Sequence, residues 1–165
     1  MVNEDFSFTN DIITNRIITV TKSGNNISDY NDLSGKKLAV VTDIAKAALD
    51  KNATIKNNNK NTLYPTIEDA LSALDNGSVD AVITDEFNFS PLENAEKYQV
   101  LNGELDKISY AFMFKKGDWV VENWNEAIYE LKSPDYNDKD EFTPMVEKYF
   151  GYNASSFDYV PSKTK

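Results

Sequence analysis

The chain has 165 residues, a formal net charge of −10 and 41% hydrophobic residues, enough for one ordinary domain or two small lobes around a real core. With 27 acidic against 17 basic residues it has no basic face for phosphate, which excludes nucleic acid as a partner and biases the surface toward cationic ligands. It has no cysteine and no histidine, so disulfides, thiol catalysis, thiolate metal sites and the commonest general base are excluded together, and nothing implies a metal or cofactor.

Nine Tyr and nine Phe argue for a packed fold, and no apolar run approaches the length of a membrane span. Residues 16–22, "RIITVTK", are β-branched and predict a strand, followed by the turn-rich "SGNNISDYNDLSG". "KKLAVVT" predicts a second strand ending at Thr42. "DIAKAALDKN" after it predicts a helix with Asp43 as its N-cap. In the Asn-rich "NATIKNNNKNTLYP" a short strand is expected around Thr54 to Lys56. "PTIEDALSALDNG" predicts a helix capped by Thr66, with Asp69 at N3, Ile67, Ala70, Leu71 and Leu74 on one face, and Gly77 as the terminating glycine.

"SVDAVITD" follows as a short strand apolar enough to be covered on both faces, as parallel strands are. Alternation of strand and helix predicts an α/β, doubly wound sheet. "YQVLNG" and "KISYAFMFKKGD" predict further strands. "DWVVENWNEAIYELKS" predicts an amphipathic helix with Val121, Trp124, Ile128 and Leu131 on its apolar face; "TPMVEKYFG" predicts a last short one stopped by Gly151. Phe6 and Phe8 read as packing residues, and Trp119 and Trp124 as helix packing or surface residues.

In open α/β sheets ligands bind beyond the carboxyl ends of the strands. Thr42 and Asp43 stand at one such end, Asp85 and Glu86 at another, and if the two strands are neighbours these side chains face one crevice. The carboxylates would then hold a cationic group of a ligand. Asp85 equally suits a cap of the following turn, and Glu86 reads first as a solvated side chain.

In this order "DLSGKKLAVVTDIAKAALDKN", "PTIEDALSALDNGSVDAVITDE", "ISYAFMFKKGDWVVENWNEAIYELKS" and "MVEKYFG" resemble the family-3 extracellular solute-binding proteins, the amino-acid-binding receptors of ABC importers. The resemblance covers residues 6 to about 151. It implies a mostly parallel, type II periplasmic-binding-protein-like fold with one complete lobe and part of a second. The ligand-binding lobe would run over residues 20–109. Residues 1–19 and 110–151 would form hinge strands and a remnant of lobe one, "RIITVTK" and "YAFMFKK" being the crossings, and residues 152–165 a flexible tail. The family's long amino-terminal segment, with its ligand-clasping arginine, has only "FSFTNDIITN" as counterpart, so the chain is expected to be an excised or truncated piece.

The resemblance implies that Asp85 accepts from a ligand amino group. It also places Thr42, Asp43 and Ile44 at the turn where the family presents backbone N–H groups to a ligand carboxylate. Here Asp43 stands for the family's glycine, and Ile44 and Ala45 for its hydroxyl residues. The function implied is a non-catalytic, extracytoplasmic module that binds an amino acid or amine by hinge closure, in an importer receptor or a sensor. A membrane permease or signalling domain of the parent protein would be its partner. The alternatives are a degenerate domain serving as an interaction scaffold, or an enzyme using the paired carboxylates. A homodimer through the exposed lobe-one remnant is a further expectation.

Overall fold

The computed structural model describes residues 5–150. They form two compact units, an inner one of Asn15–Lys107 and an outer one built from the segments before Asn15 and after Lys107. The tail and Gly151 lie outside the described residues.

The inner unit is a sheet covered on both faces. Its elements are β2 (Ile13–Lys22, entering from the outer unit), β3 (Lys37–Val40), α1 (Asp43–Lys51), α2 (Ala53–Asn58), β4 (Lys60–Leu63), α3 (Ile67–Asp75), β5 (Ala81–Asp85), α4 (Glu86–Phe89) and β6 (Tyr98–Val100). The last strand, β7 (Asp106–Tyr110), leads back to the outer unit. The strand order is β4-β3-β5-β2-β6, and β7 also pairs with β2. β3 runs parallel to both β4 and β5, while β2 is antiparallel to β5 and to β6.

Successive strand residues alternate between two apolar clusters, as a pleated strand requires. Leu38, Val40, Ala81, Ile83 and Ile17 pack with Ala45, Ala48 and Leu49 of α1 and Ile55 of α2 on one face. Ala39, Val82, Ile18 and Val20 pack with Ile67, Ala70, Leu71 and Leu74 of α3 on the other. The apolar runs of β3 and β5 are continuous because both of their faces are buried. The doubly wound, mainly parallel α/β layer expected from the sequence is therefore present.

Local chemistry departs from the sequence reading in two places. Residues 54–56 are helical: the Asn52 side chain accepts from the Ile55 N–H and starts α2, and the strand comes later, at Lys60–Leu63. β4 was hard to see because every one of its residues is exposed, leaving no alternation to read. The cap of α1 is Thr42, not Asp43; Thr42 has extended backbone and its hydroxyl accepts from the Ala45 N–H, while Asp43 is the first helical residue. α3 follows its sequence signature, with Thr66 accepting from Asp69 N–H and Gly77 at φ +77° just past its end.

The outer unit contains an antiparallel ribbon of β1 (Phe6–Phe8) and β8 (Met113–Lys115), and two helices, α5 (Val120–Lys132) and α6 (Phe142–Phe150). Phe142 and Val146 of α6 pack with Leu131 of α5 and with Ile12 and Ile13. Lys132 is buried there, its Nζ donating to the Asp11 carbonyl at 3.1 Å and lying 4.8 Å from the Phe142 ring centroid. Trp124 lies against Phe112 with ring centroids 4.9 Å apart. Phe6 and Phe8 are not core residues: they are 37% and 53% exposed, because two strands make too narrow a platform to cover both ribbon faces.

Candidate functional site

Because β4, β3 and β5 are parallel, their carboxyl ends lie on one edge of the sheet, and each leads directly into a helix. The α1 crossover lies on one face and the α3 crossover on the other, so the edge at β3 and β5 is where the chain's winding reverses, the usual ligand position in such folds. The condition set by the sequence reading, that the strands ending at Thr42 and Asp85 are neighbours, is met.

All three helix starts are capped by their own side chains. Thr42 Oγ1 accepts from Ala45 N–H at 3.2 Å, Thr66 Oγ1 from Asp69 N–H at 3.1 Å, and Asp85 Oδ1 from Asn88 N–H at 3.2 Å. Each first turn also carries acid: Asp43 in α1, Glu68 and Asp69 in α3, Glu86 in α4. A helix start offers roughly half a positive charge, and a single carboxylate outweighs it. The α1 and α3 starts are thus unfavourable for an anion, while at α4 the charge of Glu86 is balanced by Arg16.

Asp85 is 2% exposed and fully engaged. Besides its cap bond, Oδ1 accepts from Asn15 Nδ2 at 3.1 Å and Oδ2 from Asn88 Nδ2 at 2.7 Å. Asn15 is equally buried and its own Oδ1 accepts from Phe87 N–H at 3.2 Å, so β2, β5 and α4 are tied at one point. The capping role considered for Asp85 is therefore real. Asn15 was missed, because a single Asn some seventy positions away carries no local signal.

Glu86 is not a solvated side chain. It is 6% exposed and takes a two-point grip from Arg16, Nη2 to Oε1 at 2.7 Å and Nε to Oε2 at 2.9 Å. Burial pushes its carboxyl above the usual glutamate range; Arg16 pulls it back, and burial prevails.

The open space at this edge is a groove of about 360 Å³. Its polar lining is Thr42, Thr66, Glu68 and Asn88, and Val41, Phe87 and Leu92 are among its apolar walls. Of the sequence-derived site residues, Thr42 reaches this groove, and Asp85 borders it only through Asn88. Asp43 is exposed beside the α1 start, and Ile44 packs half-buried on the cluster under α1. Among the described residues no group of three or more Asp or Glu is placed to hold a metal ion, and no helix is long and apolar enough to cross a membrane.

A sheet of this topology, with the groove at its reversal edge, is the type II periplasmic-binding-protein-like fold, here a partial domain. The chain is similar, at 27% identity and TM-score 0.68, to the second substrate-binding domain of an amino acid ABC transporter from Streptococcus pneumoniae, over 88% of this chain and 66% of that one. At 23% identity and TM-score 0.71 it shares the fold of a polar amino acid ABC uptake transporter substrate-binding protein from Streptococcus thermophilus, over 90% of this chain and 58% of that one. At 21% identity and TM-score 0.63 it also shares that of the second substrate-binding domain of Lactococcus lactis GlnP, over 92% of this chain and 65% of that one. The chain thus spans less than two thirds of each of these three domains. No family model matches the sequence, and no curated protein matches it. The resemblance to solute-binding domains read from the sequence motifs holds at the level of structure.

Proposed function

We propose that this chain is a non-catalytic solute-binding module for a small amine-bearing or amino-acid-like molecule, working outside the cytoplasm as part of an importer receptor or a sensor protein. The observation that carries the reading is the groove at the carboxyl edge of β4, β3 and β5, in a fold shared with amino-acid substrate-binding domains. Solved proteins of this fold include ones bound to L-arginine and to L-glutamate, which supports the solute class. On this reading Thr42 and Asn88 face the solute, while Asp85 positions Asn88. Asp43 adds negative potential beside the groove, Glu86 anchors α4, and Ile44 seats the turn.

Hinge movement belongs to the reading too. Both boundaries between the units fall inside strands, between Thr14 and Asn15 in β2 and between Lys107 and Ile108 in β7. On this reading a few residues at these crossings absorb the dihedral changes of closure. The permease or signalling domain of the parent protein would be the macromolecular partner.

The test is a thermal-shift and calorimetric screen of the chain against amino acids and small amines. A ligand at a hundred times its dissociation constant stabilises by about 2.7 kcal/mol. A saturable rise in Tm with a matching heat of binding supports the module. If no compound binds and the chain instead forms a stable oligomer, the scaffold reading replaces it.

A further inference from the structure

We infer that Glu68 is the specificity-determining residue of the groove, and that the solute it selects is a small organic cation with an apolar body and no carboxylate. This deepens the solute-binding reading and rests on it. The sequence directs attention to Asp85 and Glu86, but both are consumed within the protein. Asp85 accepts from Asn15 and twice from Asn88, and both oxygens of Glu86 are held by Arg16. Glu68 is the one ionisable residue lining the groove; it is exposed, and its side chain forms no ion pair or hydrogen bond among the described residues. A ligand cation thus finds its charge partner there.

The rest of the lining fits the same chemistry. Thr42 Oγ1 and Thr66 Oγ1 each spend one lone pair on a cap N–H and keep the other for an ammonium N–H. Val41, Phe87 and Leu92 supply an apolar wall for a hydrocarbon body. A ligand carboxylate meets the opposite: no cation lines the groove, the three helix starts are already capped, and Glu68, Asp69 and Asp43 repel it.

The test compares leucine with 3-methylbutylamine, and phenylalanine with 2-phenylethylamine; each pair shares a hydrocarbon body and differs by the carboxylate. Calorimetry with the full chain is expected to show that the amines bind more tightly than their parent amino acids. Glu68→Gln is expected to weaken amine binding about fivefold, the scale of a solvent-accessible ion pair. Glu96→Gln, which changes an exposed acid outside the groove lining, is expected to leave it within twofold. Raising salt from 20 to 300 mM is expected to erase most of the Glu68 effect. Amino acids binding as tightly as amines, or amine binding indifferent to Glu68→Gln, overturns this inference and leaves the solute-binding reading standing. Failure of every amine and amino acid to bind the wild-type chain overturns both.

Discussion

Arg16, the only arginine in the chain, grips Glu86 at two points, 2.7 and 2.9 Å, across the β2–β5 pairing where Ile17 stands opposite Asp85. Removing one member of a buried pair costs more than the pair contributes, because the survivor is left desolvated. Arg16→Met is expected to lower unfolding free energy by about 3 kcal/mol, the low end of the usual range because the Arg16 side chain is 27% exposed. Arg16→Met with Glu86→Leu is expected to recover most of the loss. Urea denaturation of the three chains checks both, and a double variant no better than the single one refutes the pairing argument.

Asp85 is a structural junction before it is anything else. Asp85→Ala orphans the buried Asn15 amide and removes the α4 cap, so it is expected to cost about 1–3 kcal/mol. Asn15→Ala is expected to couple to it by at least about 0.5 kcal/mol in a double-mutant cycle. Strict additivity would mean the two side chains act separately. Binding assays are accordingly better interpreted with Asp85→Asn than with alanine.

Thr66 satisfies the Asp69 N–H at the start of the nine-residue α3, whose apolar face covers one side of the sheet. Thr66→Ala is expected to cost about 1 kcal/mol and Thr66→Ser only a few tenths. Equal losses in thermal unfolding would show that the hydroxyl is not the capping group.

Asp32 carries an acid-side pH dependence. The backbone N–H groups of Ser28 and Asp29 and the Ser28 hydroxyl all donate to it, holding its carboxyl below the usual aspartate range. A depressed carboxyl contributes stability that is fully present above the ordinary aspartate pKa and is lost as pH falls through the folded-state value. Asp32→Asn is therefore expected to lower Tm at pH 7 and to converge with the wild type as the pH falls through the depressed folded-state pKa of Asp32. A Tm gap that is constant with pH would count against the ionic origin.

The inner unit is continuous in sequence and holds both apolar clusters of its sheet. A fragment of residues 15–107 is expected to unfold cooperatively in urea with the native near-ultraviolet signature. A broad, non-cooperative transition would show that the outer segments are needed for folding.

The sequence was most readable where local signals agreed. α3 has a cap, an apolar stripe and a terminating glycine within a dozen residues, and β5 has an unbroken apolar run. Reading failed where two residues competed for one role, as Thr42 and Asp43 did, since side chains alone do not show which has extended backbone. It failed again at α2, where a short strand is expected around Thr54 to Lys56 but Asn52 acts as a helix cap. The site was half-visible: its edge followed from strand order and helix placement, but the fate of Asp85 and Glu86 depended on Asn15 and Arg16 on a distant strand. Glu68 was hidden by being an ordinary first-turn acid.

Because Leu38 to Val40 of β3 and Ala81 to Ile83 of β5 are apolar on both faces, polarity marks their alignment only at the ends of these runs, where a slip by one residue would bring Lys37 or Thr84 into a cluster position. Volume discriminates along the rest, since the slip would trade small Ala39 against large Leu38 or Val40, and small Ala81 against Val82. The second gauge is a reciprocal clasp at the strand starts, where Lys37 N–H donates to Asp80 Oδ2 and Asp80 N–H to the Lys37 carbonyl, both at 2.8 Å. The fold is accordingly forgiving of exchanges among similar apolar side chains in these strands and intolerant of a single inserted or deleted residue, even an apolar one.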